Sequence, residues 1–209
     1  MRHCIGALAL VAGLLLVLGL TATADEKDKA KPEKTVKPEP SDKPDSKAAA
    51  EDFFKKAASG GLLEVQTSRF ATEQSTSEEV KKFARQMMTD HGKANQELLA
   101  LGAKKGFPPP VGLLPKDAET LKKVGQAKVG DFDATFAKVQ VDAHEEAVKL
   151  FEAQGKDGAD PDFKSWAEKT LPTLREHLKT AQHLADAVGK SHKEDGGTKS
   201  GSKVGKQQE

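Results

Sequence analysis

The chain of 209 residues contains one cysteine and no tyrosine, and aromatic residues make up only 5% of it. A single cysteine excludes an internal disulfide framework and any cysteine-rich zinc or iron–sulfur site. The 33 basic residues nearly cancel the 32 acidic residues, so the chain lacks the basic excess of a nucleic-acid-binding protein. The sequence also contains neither a glycine-rich phosphate loop in a strand–helix context nor the nucleophile elbow of hydrolases. We therefore predict one ordinary domain with tails and no nucleic-acid partner.

The first 24 residues have the pattern of a secretory signal peptide. Arg2 precedes an apolar run from Ile5 to Leu20, and Ala22-Thr23-Ala24 has the A-x-A form that signal peptidase accepts. The run is shorter than the roughly 20 residues that span a bilayer, although an uncleaved anchor remains the alternative. Cleavage after Ala24 would leave an exported chain without a membrane span or a thiol, either periplasmic or associated with the cell envelope.

Charged, apolar-poor segments flank the remaining sequence. Residues 25–47 hold seven lysines, seven acidic residues and four prolines, and residues 189–209 are rich in glycine, serine and lysine. Such segments bury too little apolar surface to offset their ordering entropy, so we predict a disordered linker and a disordered tail. The ordered domain is then expected over residues 48–188.

Apolar residues within that domain recur at helical spacing, and no convincing strand pattern appears. The predicted long helices are Ala48–Thr72, a second that follows Thr76-Ser77, Asp131–Gln154, and a fourth that starts after Asp160-Pro161. The stretch Gly102–Gly130 is broken by prolines and has room for one short helix, Lys116–Lys123. Long helices with one long connection between the second and third predict an all-α, ferritin-like four-helix bundle with a crossover. A helical hairpin array of another connectivity is the alternative.

Three local signals refine this prediction. Thr76 with Glu79 three residues later has the spacing of a capping box at the start of the second helix. Asp160 before Pro161 predicts an N-cap followed by proline at the first helical position of the fourth helix. The pair Gly60-Gly61 weakens the first helix at its middle, which indicates that another helix packs closely there.

Histidines occur inside the apolar stripes of three predicted helices. His91, His144 and His177 each lie in such a stripe, one per helix, whereas His3, His183 and His192 lie elsewhere. Glu64 flanks the stripe of the first helix, and Asp90 lies beside the buried face of the second. Imidazole and carboxylate groups gathered inside a bundle are ligands for a transition metal. The sequence therefore marks Glu64, Asp90, His91, His144 and His177 as candidate ligands for one transition-metal ion.

A purely structural polar cluster is the alternative for the same residues. A buried histidine without a partner costs about 1–3 kcal/mol, but the imidazoles could satisfy one another through Asp90, Glu64 and water. The helical stripes do not fix the heights of these residues along the bundle, so both interpretations remain open.

Four short segments resemble a bacterial family, the domain-of-unknown-function 4142 family. These segments are Gly61-Leu62-Leu63-Glu64-Val65, Met88-Thr89-Asp90-His91, Asp131-Phe132-Asp133 and Leu171-Pro172-Thr173-Leu174-Arg175-Glu176-His177-Leu178. The resemblance implies an exported protein with a ferritin-like fold, often labelled an outer-membrane protein, and no established reaction. It also implies an Asp-His pair on the third long helix, where this chain has Ala143-His144 with Asp142 one position earlier.

The resemblance to ferritin-like proteins does not imply a di-iron centre of the ferritin type. Such centres use Glu-x-x-His motifs on two helices, but Met88 and Leu174 stand three residues before His91 and His177.

Two function classes follow from the sequence. The first is a non-enzymatic envelope module that binds an envelope or surface partner or has a structural role. The alternative is a metal-binding or redox protein that uses the inward histidines and Glu64.

Overall fold

The structure, a computed structural model, describes residues 44–196 of the chain. Every element within those residues is helical, which confirms the all-α prediction. The elements are α1 (Pro44–Gln74), α2 (Glu78–Lys104), α3 (Pro115–Gly125), a short 3-10 turn (Val129–Asp131), α4 (Phe132–Asp157) and α5 (Pro161–Gly196). The predicted signal peptide, most of the predicted linker and the end of the predicted tail lie outside the described residues.

The first and last helices extend beyond the predicted ordered segment. Helix α1 begins at Pro44 instead of Ala48, and α5 continues past Val188 to Gly196. A proline is tolerated at the start of α1 because the N–H that it lacks would have no partner in the first helical turn. None of the helices in residues 44–196 carries an apolar stretch long enough to cross a membrane.

The helix starts show which capping predictions hold. The N-cap of α2 is Ser77, whose Oγ accepts a hydrogen bond of 3.3 Å from the Val80 N–H, so the predicted capping box at Thr76 is wrong. Both residues are favourable N-caps, and the chain enters the helix one position later than the Glu79 spacing indicated. The Asp160 prediction is confirmed, because its Oδ1 accepts a 3.1 Å hydrogen bond from the Phe163 N–H.

The long helices pack in neighbouring pairs around a common interior. Helix α1 packs along α2, and α4 packs along α5. Helix α1 also contacts α4, and α2 contacts α5, so the four long helices close on one another. The short helix α3 lies in the connection between α2 and α4 and packs on α1 and α4.

Two apolar clusters fill the interior, and the predicted site residues lie between them along each long helix. The first cluster includes Phe53, Phe54, Leu98, Phe151, Phe163 and Trp166. The second includes Val80, Phe83, Met87, Phe132, Phe136 and Leu184. On α2, for example, His91 stands between Met87 of the second cluster and Leu98 of the first. The predicted site residues and the buried polar residues next to them therefore form a layer near the middle of the helices.

The two glycines in the middle of α1 have different surroundings. A Cβ atom added at Gly61 would collide with the side chain of Asn95 on α2, which confirms the predicted close packing at this position. A Cβ added at Gly60 would meet nothing within 4 Å. Gly60 instead lines an internal cavity beside the polar layer.

Candidate metal centre

Three histidines from three helices meet in the polar layer. His91 on α2, His144 on α4 and His177 on α5 are 7%, 0% and 2% exposed. Their ring centroids lie 5.3, 5.3 and 5.4 Å apart, which makes a nearly equilateral arrangement that we call the histidine triangle. One ring nitrogen from each histidine lies within 4.8 Å of the other two. The three imidazoles are therefore close enough together to hold one metal ion.

The separation of two of these nitrogens has the value expected for ligands of one ion. The Nε2 atoms of His91 and His144 are 3.3 Å apart. Two nitrogens that each lie 2.0–2.1 Å from a tetrahedral ion are about 3.3–3.4 Å from each other. This pair of imidazoles therefore needs little adjustment to bind a common ion.

The hydrogen bond of His144 fixes its tautomer. Its Nδ1 lies 2.8 Å from the main-chain carbonyl oxygen of Gln140, one helical turn earlier on α4. A carbonyl oxygen only accepts hydrogen bonds, so the proton is on Nδ1. The Nε2 of the neutral ring consequently carries a lone pair, and that is the atom facing His91.

The hydrogen bond to Asp90 fixes the tautomer of His177 in the same way. The Nε2 of His177 donates a 2.9 Å hydrogen bond to Oδ2 of Asp90, which is half-buried on α2. In the neutral ring the other nitrogen, Nδ1, then carries the lone pair, and it is buried with no hydrogen-bond partner among residues 44–196. A carboxylate that holds the far nitrogen of a histidine is the usual outer support of a metal-binding imidazole.

All three imidazoles are held in the neutral form. Burial lowers the pKa of His91 well below its usual 6.5, and repulsion from the other two rings lowers it further. Burial lowers the pKa of His144 to about 4, although the Gln140 carbonyl opposes the change. Burial also lowers the pKa of His177, against the opposing effect of Asp90. Neutral imidazole is the form that binds metals, so no proton has to leave at neutral pH.

Glu64 lies beside the histidine triangle and does not belong to the group of converging atoms. Its Oε1 is 3.8 Å from Nδ1 of His144, and its buried Oε2 has no hydrogen-bond partner within the part of the chain that the structure describes. Burial raises the pKa of the Glu64 carboxyl to about 8, with the side chain of Gln140 opposing the rise and the charge of Asp117 adding to it. The structure thus brings the three predicted histidines together and places Asp90 and Glu64 around them.

Among the residues of this layer that sequence reasoning missed is Gln140. Its side chain is fully buried, and its Nε2 donates a 3.2 Å hydrogen bond to Oγ1 of Thr67 on α1. The signal in the sequence was its position four residues before His144, which puts both on one helical face. Asp142, the acid nearest to His144 in sequence, is instead exposed and pairs with Lys138 at 2.9 Å.

A cavity of about 430 Å³ adjoins the triangle. All three histidines and Glu64 line it, together with apolar residues of the first cluster such as Leu150, Phe151 and Trp166. The site therefore combines buried nitrogen donors with a partly open, mostly apolar space next to them.

Comparisons with known proteins agree with the helical fold and the family resemblance. The family model described as "Domain of unknown function (DUF4142)" matches residues 35–184. The solved structure described as a crystal structure of a DUF305 fragment from Deinococcus radiodurans is similar, with a TM-score of 0.58 at 15% sequence identity. The similarity covers 68% of this chain and 96% of that one, and at this identity it bears on the fold alone. No curated protein matches the chain.

Proposed function

The chain belongs to the DUF4142 family, and from this premise we propose that its helical domain binds one divalent transition-metal ion through His91, His144 and His177. The observation that carries the proposal is the convergence of the three ring nitrogens to within 4.8 Å. The far nitrogens of His144 and His177 are occupied by Gln140 and Asp90, so the lone pairs belong to the remaining nitrogens.

A metal ion would give all three rings a common partner, which hydrogen bonds among the described residues do not. Without an ion, His91 can donate one N–H to the Nε2 of His144, but Nδ1 of His177 keeps no partner among the described residues. Leaving a buried polar atom unsatisfied costs about 1–3 kcal/mol. A single cation would accept a lone pair from each of the three rings and remove that cost.

The ligand set favours zinc or copper. Imidazole ligands suit Zn²⁺, Cu²⁺, Ni²⁺ and Fe²⁺, and Cu²⁺ binds most tightly among them by the Irving–Williams order. Three protein ligands leave a fourth position for water or another ligand, as in catalytic zinc sites. Glu64, whose Oε1 lies 3.8 Å from Nδ1 of His144, would be an additional carboxylate beside such an ion. The three histidines and Glu64 do not suit a di-iron centre, because two irons require several bridging carboxylates.

We further propose that the domain is an exported ferritin-like four-helix bundle. The mutual contacts of the four long helices, the long connection between α2 and α4, and the likeness to the DUF305 fragment support the bundle. The signal-like pattern of residues 1–24 supports export to the periplasm or cell envelope. A non-enzymatic envelope role, the first function expected from the sequence, is compatible with an ion that is held and not turned over.

Metal titration of single-histidine variants tests the proposed function. The protein is purified without a histidine tag, stripped with a chelator and titrated with Zn²⁺ and Cu²⁺. We expect about one equivalent bound by the wild type, and loss of that equivalent in His91→Ala, His144→Ala and His177→Ala. His183→Ala is the matched control, because His183 lies on the exposed side of α5. Equal metal binding by all four variants would contradict the proposal.

A further inference from the structure

The cavity beside the histidine triangle has the size of a small-molecule site. Residues from all four long helices and from the start of α3 line its volume of about 430 Å³. Binding sites for small organic molecules usually measure about 300–1,000 Å³. A folded segment of another protein would not fit among four packed helices, so the space suits a single small molecule.

The cavity is long for its volume. Trp166 and His177 both line it, and they are eleven positions apart on α5. At 1.5 Å of rise per residue this separation is about 16 Å along the helix. A cavity of this volume and length is narrow, so it fits an elongated molecule better than a globular one.

The two ends of the cavity differ in polarity. Leu150, Phe151 and the ring of Trp166 form the more apolar end, although Nε1 of Trp166 is also buried with no hydrogen-bond partner among residues 44–196. The other end has the histidine triangle and Glu64, and the exposed residues Lys56, Lys116 and Glu146 also line the cavity. Within residues 44–196, neither Oε2 of Glu64 nor Nδ1 of His177 has a hydrogen-bond partner, although both atoms are buried. A predominantly apolar molecule with a polar end at the histidine triangle would match this lining.

Gly60 keeps the cavity open from the α1 side. A glycine inside a helix is less stable than alanine by about 0.8–1.0 kcal/mol. Close packing does not explain it here, because a Cβ at Gly60 would contact nothing within 4 Å. The absence of a side chain at Gly60 therefore enlarges the cavity. It does not serve the close approach of a neighbouring helix.

We propose that this cavity binds one elongated, predominantly apolar molecule whose single terminal oxygen group, an alcohol or a carboxylate, lies at the histidine triangle. Binding of the apolar molecule in the cavity does not depend on the proposed metal site. The preference for a carboxylate rests on the proposed function, because a bound cation attracts an anionic oxygen and the neutral imidazoles alone do not.

The only tryptophan of the chain, Trp166, provides the measurement, because it lies at the apolar end of the cavity. Its fluorescence is followed while 1-octanol or octanoate is added to the purified protein, either freed of metal or loaded with Zn²⁺. We expect saturable changes with 1-octanol in both forms. Octanoate should bind the zinc-loaded form about tenfold more tightly than the metal-free form, a difference of about 1.4 kcal/mol.

Cavity-filling variants separate binding in the cavity from binding at the surface. We expect Gly60→Leu and, on α4, Ala147→Leu to weaken 1-octanol binding about tenfold, because each adds a side chain to the cavity wall. Two variants on different helices are used because one of them could disturb folding, which circular dichroism reports. Gly189→Leu is the matched control: it is also a helical glycine whose Cβ would meet nothing, but it does not line the cavity.

The outcomes distinguish this inference from the proposed function. If 1-octanol shows no saturable binding, or if its binding survives both cavity-filling substitutions, the proposal that an apolar molecule binds in the cavity is wrong. If zinc binds but gives octanoate no advantage, the placement of the oxygen end is wrong while the metal site stands. If zinc does not bind but 1-octanol binds in a manner sensitive to Gly60→Leu, the proposed function fails and the cavity site is supported.

Discussion

Asp90 on α2 holds His177 on α5 through a 2.9 Å hydrogen bond between its Oδ2 and the Nε2 of the ring. This bond joins two neighbouring helices at the level of the histidine triangle. It also assigns the proton of His177 to Nε2, so that the lone pair is on the buried Nδ1. The carboxylate thereby prepares an imidazole for metal binding without being a ligand itself.

We expect Asp90→Ala to weaken Zn²⁺ binding about 10–100-fold while the helical fold is retained, since such supporting carboxylates orient the ring and raise its basicity. Competition with a chromophoric chelator measures the affinity. Asp142→Ala is the control, because Asp142 is close to His144 in sequence but is exposed and pairs with Lys138. Equal losses in the two variants would show that general charge, and not the bond to His177, matters.

Helical periodicity predicts most of the apolar residues and all three histidines that face the interior. All three histidines assigned to apolar stripes are buried, and so are most of the apolar residues of those stripes. The common level of His91, His144 and His177 could not be predicted, because it depends on the connections and on how the long helices slide against one another. Gln140 was missed because it is a polar residue in an apolar arc, and only the tertiary contact with Thr67 explains it.

Glu64 should make the metal-free protein less stable as the pH rises. Its pKa is 4.5 in the unfolded chain and about 8 in the folded protein. The folded state therefore binds the proton more tightly, and this contribution to stability is complete below pH 4.5 and lost as the pH rises towards 8. Urea unfolding at several pH values should show this loss in the wild type and not in Glu64→Gln. Parallel pH profiles for the two proteins would contradict the assignment.

The histidines should have the opposite effect on the acid side. The pKa of His144 falls from 6.5 in the unfolded chain to about 4 in the folded protein, and the pKa values of His91 and His177 are lowered too. The unfolded state therefore binds more protons, and stability falls as the pH decreases from 6.5 towards 4. The Glu64→Gln background isolates this change. An unfolding midpoint that stays constant over this range would refute the neutral, buried state of the rings.

Two glycine substitutions should change stability in opposite directions. Gly60→Ala should stabilise the protein by up to about 1 kcal/mol, because it improves helix propensity and the new methyl group meets nothing. Gly102→Ala should destabilise it by about 1–3 kcal/mol, because the methyl group would collide with the buried ring of Phe54. Urea denaturation of both variants measures these effects. A stabilised Gly102→Ala would mean that α1 and α2 are less closely packed than described.

X-ray absorption spectroscopy of the zinc-loaded protein tests the central claim most directly, since it reports the atoms around the ion. We predict three imidazole nitrogens at about 2.0–2.1 Å and one further light atom, with the same shell in His183→Ala and with loss of the ion, and hence of the imidazole shell, in His177→Ala. A shell of oxygen atoms without imidazole scattering, or a spectrum that His177→Ala does not alter, would show that the histidine triangle is not the metal site.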